Sequence, residues 1–161
     1  MEFETDLDTF KADAACVVPA QRAGAIAMAA GVNNGDWCPI VPASMQSQAD
    51  ENIYVLGDAS VAKSMPKSGF SANSQAKVAA NHIRGALTGS KVFDARYSNT
   101  CWSLIAPDDD VKVGASYVGG AEAIDVESKF ISQADDSSET RAANYQESID
   151  WYNGMTADMF S

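Results

Sequence analysis

The sequence has few basic residues, no long apolar run and few cysteines, and each shortage argues against a class of function. It contains 22 Asp and Glu residues against 11 Lys and Arg, so its formal net charge is −11. A phosphate backbone would be repelled by this charge, and we therefore expect no nucleic-acid binding. No apolar run approaches the roughly 20 residues that cross a bilayer, so no membrane span is predicted. Residues 1–6 have neither the basic start nor the apolar stretch of a signal peptide.

Metal and disulfide chemistry also lack support in the sequence. Cys16, Cys38 and Cys101 are far apart and form no CxxC pair, zinc spacing or closed disulfide framework. His82 has no acid or cysteine at a ligand spacing, and the acidic clusters at 108–110 and 135–136 lack the spacing of a calcium loop. We therefore predict no metal site. Cys16 follows two alanines in a short apolar run and is expected to be a small core residue.

What is present indicates a globular protein of mixed structure. The 161 residues are 46% hydrophobic, which is enough for a core. Apolar runs predict strands at 14–18 and 53–56, and Ala-rich segments predict helices at 21–30 and at about 68–87. The second helix should bury one face, formed by Ala72, Ala76, Ala79, Ala80, Ile83 and Leu87. Composition changes at Gly89 and Ser90, where we place a boundary.

The second half predicts a small antiparallel meander followed by a helix. Residues 97–106, 111–117 and 121–131 read as strands, joined by a turn at 107–110 and a hairpin at Gly119-Gly120. A last helix should start near 135–138 and end at Gly154, with one face formed by Ala142, Tyr145, Ile149 and Tyr152. The predicted fold class is α+β: an α/β segment up to residue 89, then the meander and a C-terminal helix.

Residues 53–77 hold the pattern that most suggests a binding site. Asp58 follows a predicted strand, and a helix starts after Lys67. A carboxylate in that place can accept hydrogen bonds from sugar hydroxyls, and free amides at a helix start can face an anion or a polarised carbonyl. This layout suits a flavin. Gly-Asp after a strand is also an ordinary turn, so the residues alone leave both interpretations open.

Five separated segments together resemble one known family. They are 18–24 (VPAQRAG), 36–39 (DWCP), 57–77 with its MPKSGFSANSQAK stretch, 99–104 (NTCWSL) and the tail 151–160. In this order they resemble the flavoprotein subunit of flavocytochrome c sulfide dehydrogenase, a FAD-dependent member of the pyridine nucleotide-disulfide oxidoreductase superfamily. The resemblance implies that residues 1–89 are the C-terminal part of a FAD/NAD-type nucleotide-binding region and that residues 90–161 are the flavin-binding C-terminal domain.

The resemblance also implies a set of site residues. Cys101 would be one half of a redox-active cysteine pair, whose second member lies upstream of the sequence present here. The helix start would direct its positive end at the flavin ring and stabilise negative charge on it. Trp102 could wall the flavin or pack in the core, and the same holds for Trp151. The cofactor-binding residues would be Gly57, Asp58, Ala59, Lys67, Ser68, Gly69, Phe70 and Trp151.

The implied function is one part of a FAD-dependent sulfide dehydrogenase. The family oxidises sulfide and passes electrons via FAD to a c-type cytochrome subunit, in the periplasm. The GxGxxG fingerprint of a FAD domain is absent, so we expect this chain to supply one wall of the flavin site and to be inactive without the missing N-terminal FAD domain. Two alternatives remain: a non-catalytic module that forms homo-oligomers, and part of a sulfide:quinone oxidoreductase, although Asp150 and Asp158 make the tail polar for that role.

Overall fold

A three-stranded sheet and two long helices make up most of the regular structure, which the computed structural model describes from residue 2 to residue 160. A two-stranded hairpin near the N-terminus and one short helix precede them. In chain order the elements are β1 (Glu2–Glu4), β2 (Thr9–Lys11), α1 (Ala25–Ala29), a 3-10 turn (Gly57–Ala59), α2 (Gly69–Thr88), β3 (Arg96–Ala106), β4 (Asp109–Gly119), β5 (Ile124–Ile131) and α3 (Ser138–Phe160). The mixed content confirms the predicted α+β class.

The sheet is an antiparallel meander in the order β3-β4-β5. Tyr97 pairs with Tyr117, and Cys101 pairs with Val113. Since side chains alternate along a strand, Tyr97 and Cys101 share one face of β3 with the residue midway between them, Asn99. The predicted strands and both hairpins are confirmed, although β4 starts at Asp109, so the first turn covers only Pro107 and Asp108 instead of the predicted 107–110.

Helix α2 has well-defined ends. The Oγ atom of Ser68, the N-cap residue, accepts a hydrogen bond of 3.1 Å from the amide of Ser71. Gly89 follows the last turn with φ +67°, a left-handed conformation that glycine adopts without a steric cost. These two signals, a serine before the helix and a glycine after it, set the predicted limits correctly.

The buried face of α2 differs from the predicted one. Ile83 is 36% exposed and Leu87 is 81% exposed, so the predicted apolar face is wrong at its C-terminal end. The helix packs closely on β3, and small or polar residues fill the narrow gap: the Oγ atom of Ser74 accepts from the amide of Ser98 at 3.0 Å. The buried residues are Ser71, Gln75, Ala79 and Gly85.

Two predicted strands are absent from the described residues. The 14–18 run is irregular, with Val18 78% exposed and Cys16 also exposed, so the expectation that Cys16 lies in a core is wrong. Residues 53–56 form only one isolated bridge, between Tyr54 and Gln46. An apolar run becomes a strand only when another strand pairs with it, and no described strand does so here.

The helices predicted at 21–30 and from 135–138 to Gly154 differ in length from the observed helices. Helix α1 covers only Ala25–Ala29, although Gly31 does end it with φ +69°. Helix α3 continues through Gly154 to Phe160, because a glycine in a helix interior costs only about 1 kcal/mol and does not by itself stop the helix. Tyr152, predicted on the packed face of this helix, is 59% exposed.

The main buried cluster joins both halves of the chain. It includes Met45, which is fully buried, and Tyr97, whose hydroxyl donates a 2.6 Å hydrogen bond to the carbonyl of Pro42. Residues before and after position 89 contribute, and the division of the chain at that position stays a prediction. Within residues 2–160, no helix has the length and apolarity to cross a membrane, and no group of three or more His, Cys, Asp or Glu side chains could hold a metal ion.

We predict that Tyr97→Phe destabilises the protein in a pH-dependent way. Burial raises the pKa of Tyr97 well above its ordinary value of 10.0. Loss of the hydrogen bond to Pro42 should lower the free energy of unfolding by about 1–2 kcal/mol at neutral pH. Above about pH 10 the tyrosine of the unfolded wild type loses its proton first, so the wild type loses stability that the variant does not lose.

The difference between the two proteins should therefore narrow between about pH 8 and pH 11 in urea unfolding followed by circular dichroism. Tyr152→Phe, at an exposed position on α3, is the matched control and should leave the free energy of unfolding unchanged at both pH 8 and pH 11. An equal difference at both pH values would contradict the role given to the buried hydroxyl.

Candidate functional site

The turn formed by residues 57–60 is attached to the middle of α2. Gly57 has φ +67°, and its amide donates a 2.7 Å hydrogen bond to the Oε1 atom of Gln75. The hydroxyl of Ser60 donates to the carbonyl of Gly57 at 2.8 Å, which closes the turn. On its other side, the carbonyl of Ala59 accepts from the amide of Cys38 at 2.9 Å. The side chain of Asp58 lies at the surface.

Lys67 holds this turn from outside. Its Nζ atom donates hydrogen bonds to the carbonyl of Asp58 and, at 3.2 Å, to that of Ser60. The same atom lies 3.7 Å from the centroid of the Trp37 ring. Desolvation lowers the pKa of Lys67, and the negative groups of Asp58 and Cys38 partly oppose that shift. The ammonium group is thus engaged by two carbonyls and an aromatic face.

Cys38 lies beneath Lys67 in a separate buried cluster. Its side chain is fully buried with Ala23 and Val32. Burial raises the pKa of this thiol, and the nearby Lys67 charge opposes the shift only in part. A protonated, enclosed thiol is a packing residue and a poor nucleophile.

The first turn of α2 has backbone amides without a hydrogen-bond acceptor among the described residues. Ser68 satisfies the amide of Ser71, whereas the amides of Gly69 and Phe70 have no acceptor among residues 2–160. Gly69 is exposed, so a ligand can approach. The first amides of a helix carry its partial positive charge, which favours an anion or a polarised carbonyl at this point.

Cys101 is joined to the start of α2 through one side chain. The Oδ1 atom of Asn99 accepts hydrogen bonds from the hydroxyls of Ser68, at 2.5 Å, and Ser71, at 3.0 Å. The Nδ2 atom of the same amide donates to the Sγ atom of Cys101 at 3.4 Å. The helix start and the thiol, predicted to share one site, therefore lie on the same side of the molecule.

An open cleft of about 720 Å³ extends from Cys101 across β4 and β5. Its wall is mostly apolar and includes Phe130, with Tyr117 and Lys129 among its few polar groups. Burial, and secondarily the charge of Cys101, raise the pKa of Tyr117. Gly114 keeps the wall close, because a Cβ atom there would lie 2.3 Å from both Phe130 and the carbonyl of Asn99. A largely apolar cleft of this volume suits a flat aromatic ligand.

A smaller cavity of about 200 Å³ lies between the turn and α2. Gly57, Lys67, Ser68 and Gln75 are part of its lining. Pro66 lines both this cavity and the cleft, so the two spaces adjoin at this residue. Of the predicted cofactor-binding residues, Gly57, Lys67 and Ser68 line this cavity, whereas Cys101 lines the cleft.

Three aromatic rings attach α3 to the start of α2. Phe70 and Trp151 are stacked, with centroids 5.0 Å apart and planes 11° from parallel. Trp102 lies 5.8 Å from Trp151, and its Nε1 atom is buried with no hydrogen-bond partner among the described residues. Both tryptophans are half-buried, and the two roles that the sequence left open for them stay predictions.

Sequence reasoning missed Asn99 and Gln75 as site residues. Asn99 carried one signal, because it lies two residues before Cys101 on a strand and so on the same face. Gln75 carried none, since its partner amide is 18 positions away along the chain. Long-range hydrogen bonds of this kind leave no local pattern in a sequence.

We predict that Lys67→Met loosens the 57–60 turn without unfolding the protein. The variant removes both hydrogen bonds to the carbonyls and the contact with Trp37. The amides of Ser60 and Val61 donate to the carbonyls of Gly57 and Cys38, and their hydrogen exchange should accelerate by about tenfold, because local opening of the turn becomes easier.

Lys77→Met, at an exposed position on α2 where Lys77 pairs with the exposed Asp158, is the matched control and should leave the exchange of both amides unchanged. Equal exchange in the Lys67 variant and the wild type would show that the turn does not depend on this cation.

A comparison with known families bears on residues 93–160. This part of the chain matches the family model described as "Flavocytochrome c sulphide dehydrogenase, flavin-binding". The match includes all three strands of the meander and α3 to its end, and with them Cys101 and Trp151. The turn at 57–60 and the first residues of α2 precede it. The resemblance seen in the sequence is thereby confirmed for the C-terminal portion, where residues 93–160 are similar to the flavin-binding domain of flavocytochrome c sulphide dehydrogenase.

Proposed function

We propose that this chain is the C-terminal part of a FAD-dependent sulfide dehydrogenase and forms one wall of its flavin site. The observation that supports this most is the position of Cys101, in the cleft and hydrogen-bonded through Asn99 to the start of α2. Bound FAD would supply a two-electron acceptor, which no protein side chain provides. The residues of the cleft and helix start fit such a group, since they combine an apolar wall with free amides.

The chain's own groups would perform three tasks. The amides of Gly69 and Phe70 would face the polar edge of the flavin, where the helix dipole favours negative charge. The Gly57–Ala59 turn, held by Lys67, would lie on the ribityl and pyrophosphate side. The aromatic pair of Phe70 and Trp151 would keep α3 against the helix start and exclude water from that edge.

Cys101 would handle the sulfur of the substrate. In thiol-disulfide exchange, a hydrosulfide attacks one sulfur of a disulfide, a new sulfur-sulfur bond forms, and the other cysteine leaves as a thiolate. Cys101 would be one member of that disulfide, and a cysteine of the missing domain would be the other. Neither Cys16, exposed in an irregular segment, nor Cys38, fully buried, has the position for this role.

The partners of this site would be the missing FAD domain and a c-type cytochrome subunit. The family's name implies a cytochrome, and sulfide would be the substrate. A periplasmic location follows from the same resemblance. The chain alone would be inactive, because it holds only one side of the cofactor.

We expect activity when the chain is combined with a FAD-loaded domain from a flavocytochrome c sulfide dehydrogenase. Sulfide-dependent reduction of a c-type cytochrome should appear only in the mixture, and Cys101→Ser should lower its rate by about 100-fold or more, because serine cannot form the sulfur-sulfur bond. The measurement is cytochrome absorbance against time.

Cys16→Ser is the matched control and should retain the full rate. A Cys101→Ser mixture as active as the wild type would exclude the proposed role of this thiol. Absence of cytochrome reduction in every mixture, including the wild-type one, would instead exclude the flavin-site role of the chain.

A second candidate function, self-association through exposed apolar surface, is favoured by one observation. Several large apolar side chains lie in solvent: Leu7 (97% exposed), Val17 (70%), Val18 (78%), Phe93 (60%), Ile131 (65%) and Phe160 (81%). A contiguous apolar patch is typical of a surface that meets another polypeptide, and the adjacent Val17 and Val18 are the part of this set that would belong to one. In the complete enzyme that polypeptide would be the missing domain, and in the isolated chain it would be a second copy.

The isolated chain should therefore form oligomers whose mass in light scattering rises with concentration. Val18→Asp should shift the equilibrium toward monomer by about tenfold in dissociation constant, since it places a charge in an apolar contact. Ala20→Asp, at a neighbouring exposed position, is the control for added charge. A monodisperse monomer at all concentrations would argue against association.

A further inference from the structure

We propose that Asn99 is a positioning residue for Cys101, which it holds and stabilises as a thiolate by donating a hydrogen bond to its sulfur. The catalytic relevance of this contact rests on the proposed function, whereas the contact itself does not. Asn99 is 3% exposed, and its amide joins the start of α2 to the thiol.

The orientation of the Asn99 amide is determined by its oxygen. Two hydroxyls, those of Ser68 and Ser71, donate to Oδ1. In this arrangement the two serine hydroxyls act as donors, and Oδ1 is their common acceptor. The NH₂ group points toward the Cys101 Sγ atom, 3.4 Å away.

A fixed donor at this distance favours the charged form of the sulfur. A hydrogen bond to an ionised acceptor is roughly twice as strong as one to a neutral group, so the Asn99 donor stabilises the thiolate more than the thiol. Thiolates are the nucleophiles in sulfur exchange, and a thiol held in one orientation reacts with less entropic cost.

Few other charges face this sulfur. Of the described residues that line the cleft, Tyr117 on β4 and Lys129 on β5 are the titratable groups besides Cys101. Helix α2 contributes the neutral hydroxyls of Ser68 and Ser71, and α3 reaches this region through the ring of Trp151. Lys67 is turned away, over the Trp37 ring.

The test is alkylation of the full 161-residue chain by iodoacetamide at several pH values, with each cysteine followed by mass spectrometry. Cys16 is exposed and serves as the internal reference. Asn99→Asp keeps the shape and an acceptor for both serines, but it replaces the donor with an oxygen that repels a thiolate. The ratio of the Cys101 rate to the Cys16 rate should fall by about tenfold near neutral pH, a change of about 1.4 kcal/mol.

The pH dependence distinguishes this role from a structural one. The deficit should shrink at high pH, where both thiols ionise regardless of Asn99, whereas a merely repacked cleft would change the ratio equally at every pH. Ser71→Ala removes one of the two donors that orient the amide and should cause a smaller fall, about twofold to threefold, in the same pH-dependent way.

If Asn99→Asp loses the circular dichroism of the native protein, the Ser71→Ala variant provides the test. An unchanged ratio in the folded variants, or a fall independent of pH, would overturn the proposal. The alkylation assay contains no flavin. The proposed role of Asn99 can therefore be wrong while the chain still restores activity in the mixture with a FAD domain, and it can be right while the mixture stays inactive.

Discussion

The hydrogen bonds that Ser68 and Ser71 donate to Asn99 are the interaction on which the site depends. They join the first turn of α2 to the middle of β3. Asn99 is buried, so leaving any of these polar groups without a partner would cost about 1–3 kcal/mol. This cost makes one arrangement of helix and strand preferred. Cys101, the rim of the cleft and the free amides of α2 all take their positions from it.

A second constraint acts through the few positive charges of an acidic chain. Lys67 lies between two carbonyls of the 57–60 turn and the face of Trp37, so its charge stabilises the backbone of the turn. The amides of Gly69 and Phe70 cannot lose a proton at physiological pH, and they add the partial positive charge of a helix start beside this turn. Lys129 adds a full positive charge in the wall of the cleft.

The meander, α2 and α3 could be predicted because their signals are local. Alternation at 111–117, the Gly119-Gly120 pair and the acidic turn before β4 specify hairpins over short distances. Ser68 and Gly89 specify the ends of α2 in the same way. The 14–18 and 53–56 runs failed because a strand needs a partner, and a run of apolar residues carries no information on whether one exists. Cys16 was misplaced for the same reason.

By itself, the sequence determined the α+β class, the limits of α2, the order of the sheet strands and the resemblance that directs attention to Cys101. Turn residues, caps and alternation act within a few positions, which is why they can be read directly. Only the tertiary structure decided that Asn99 connects Cys101 to α2, that Gln75 holds Gly57, and that Trp151 stacks on Phe70. These contacts join residues distant in the chain, and their geometry exists only after the helices have packed against the sheet.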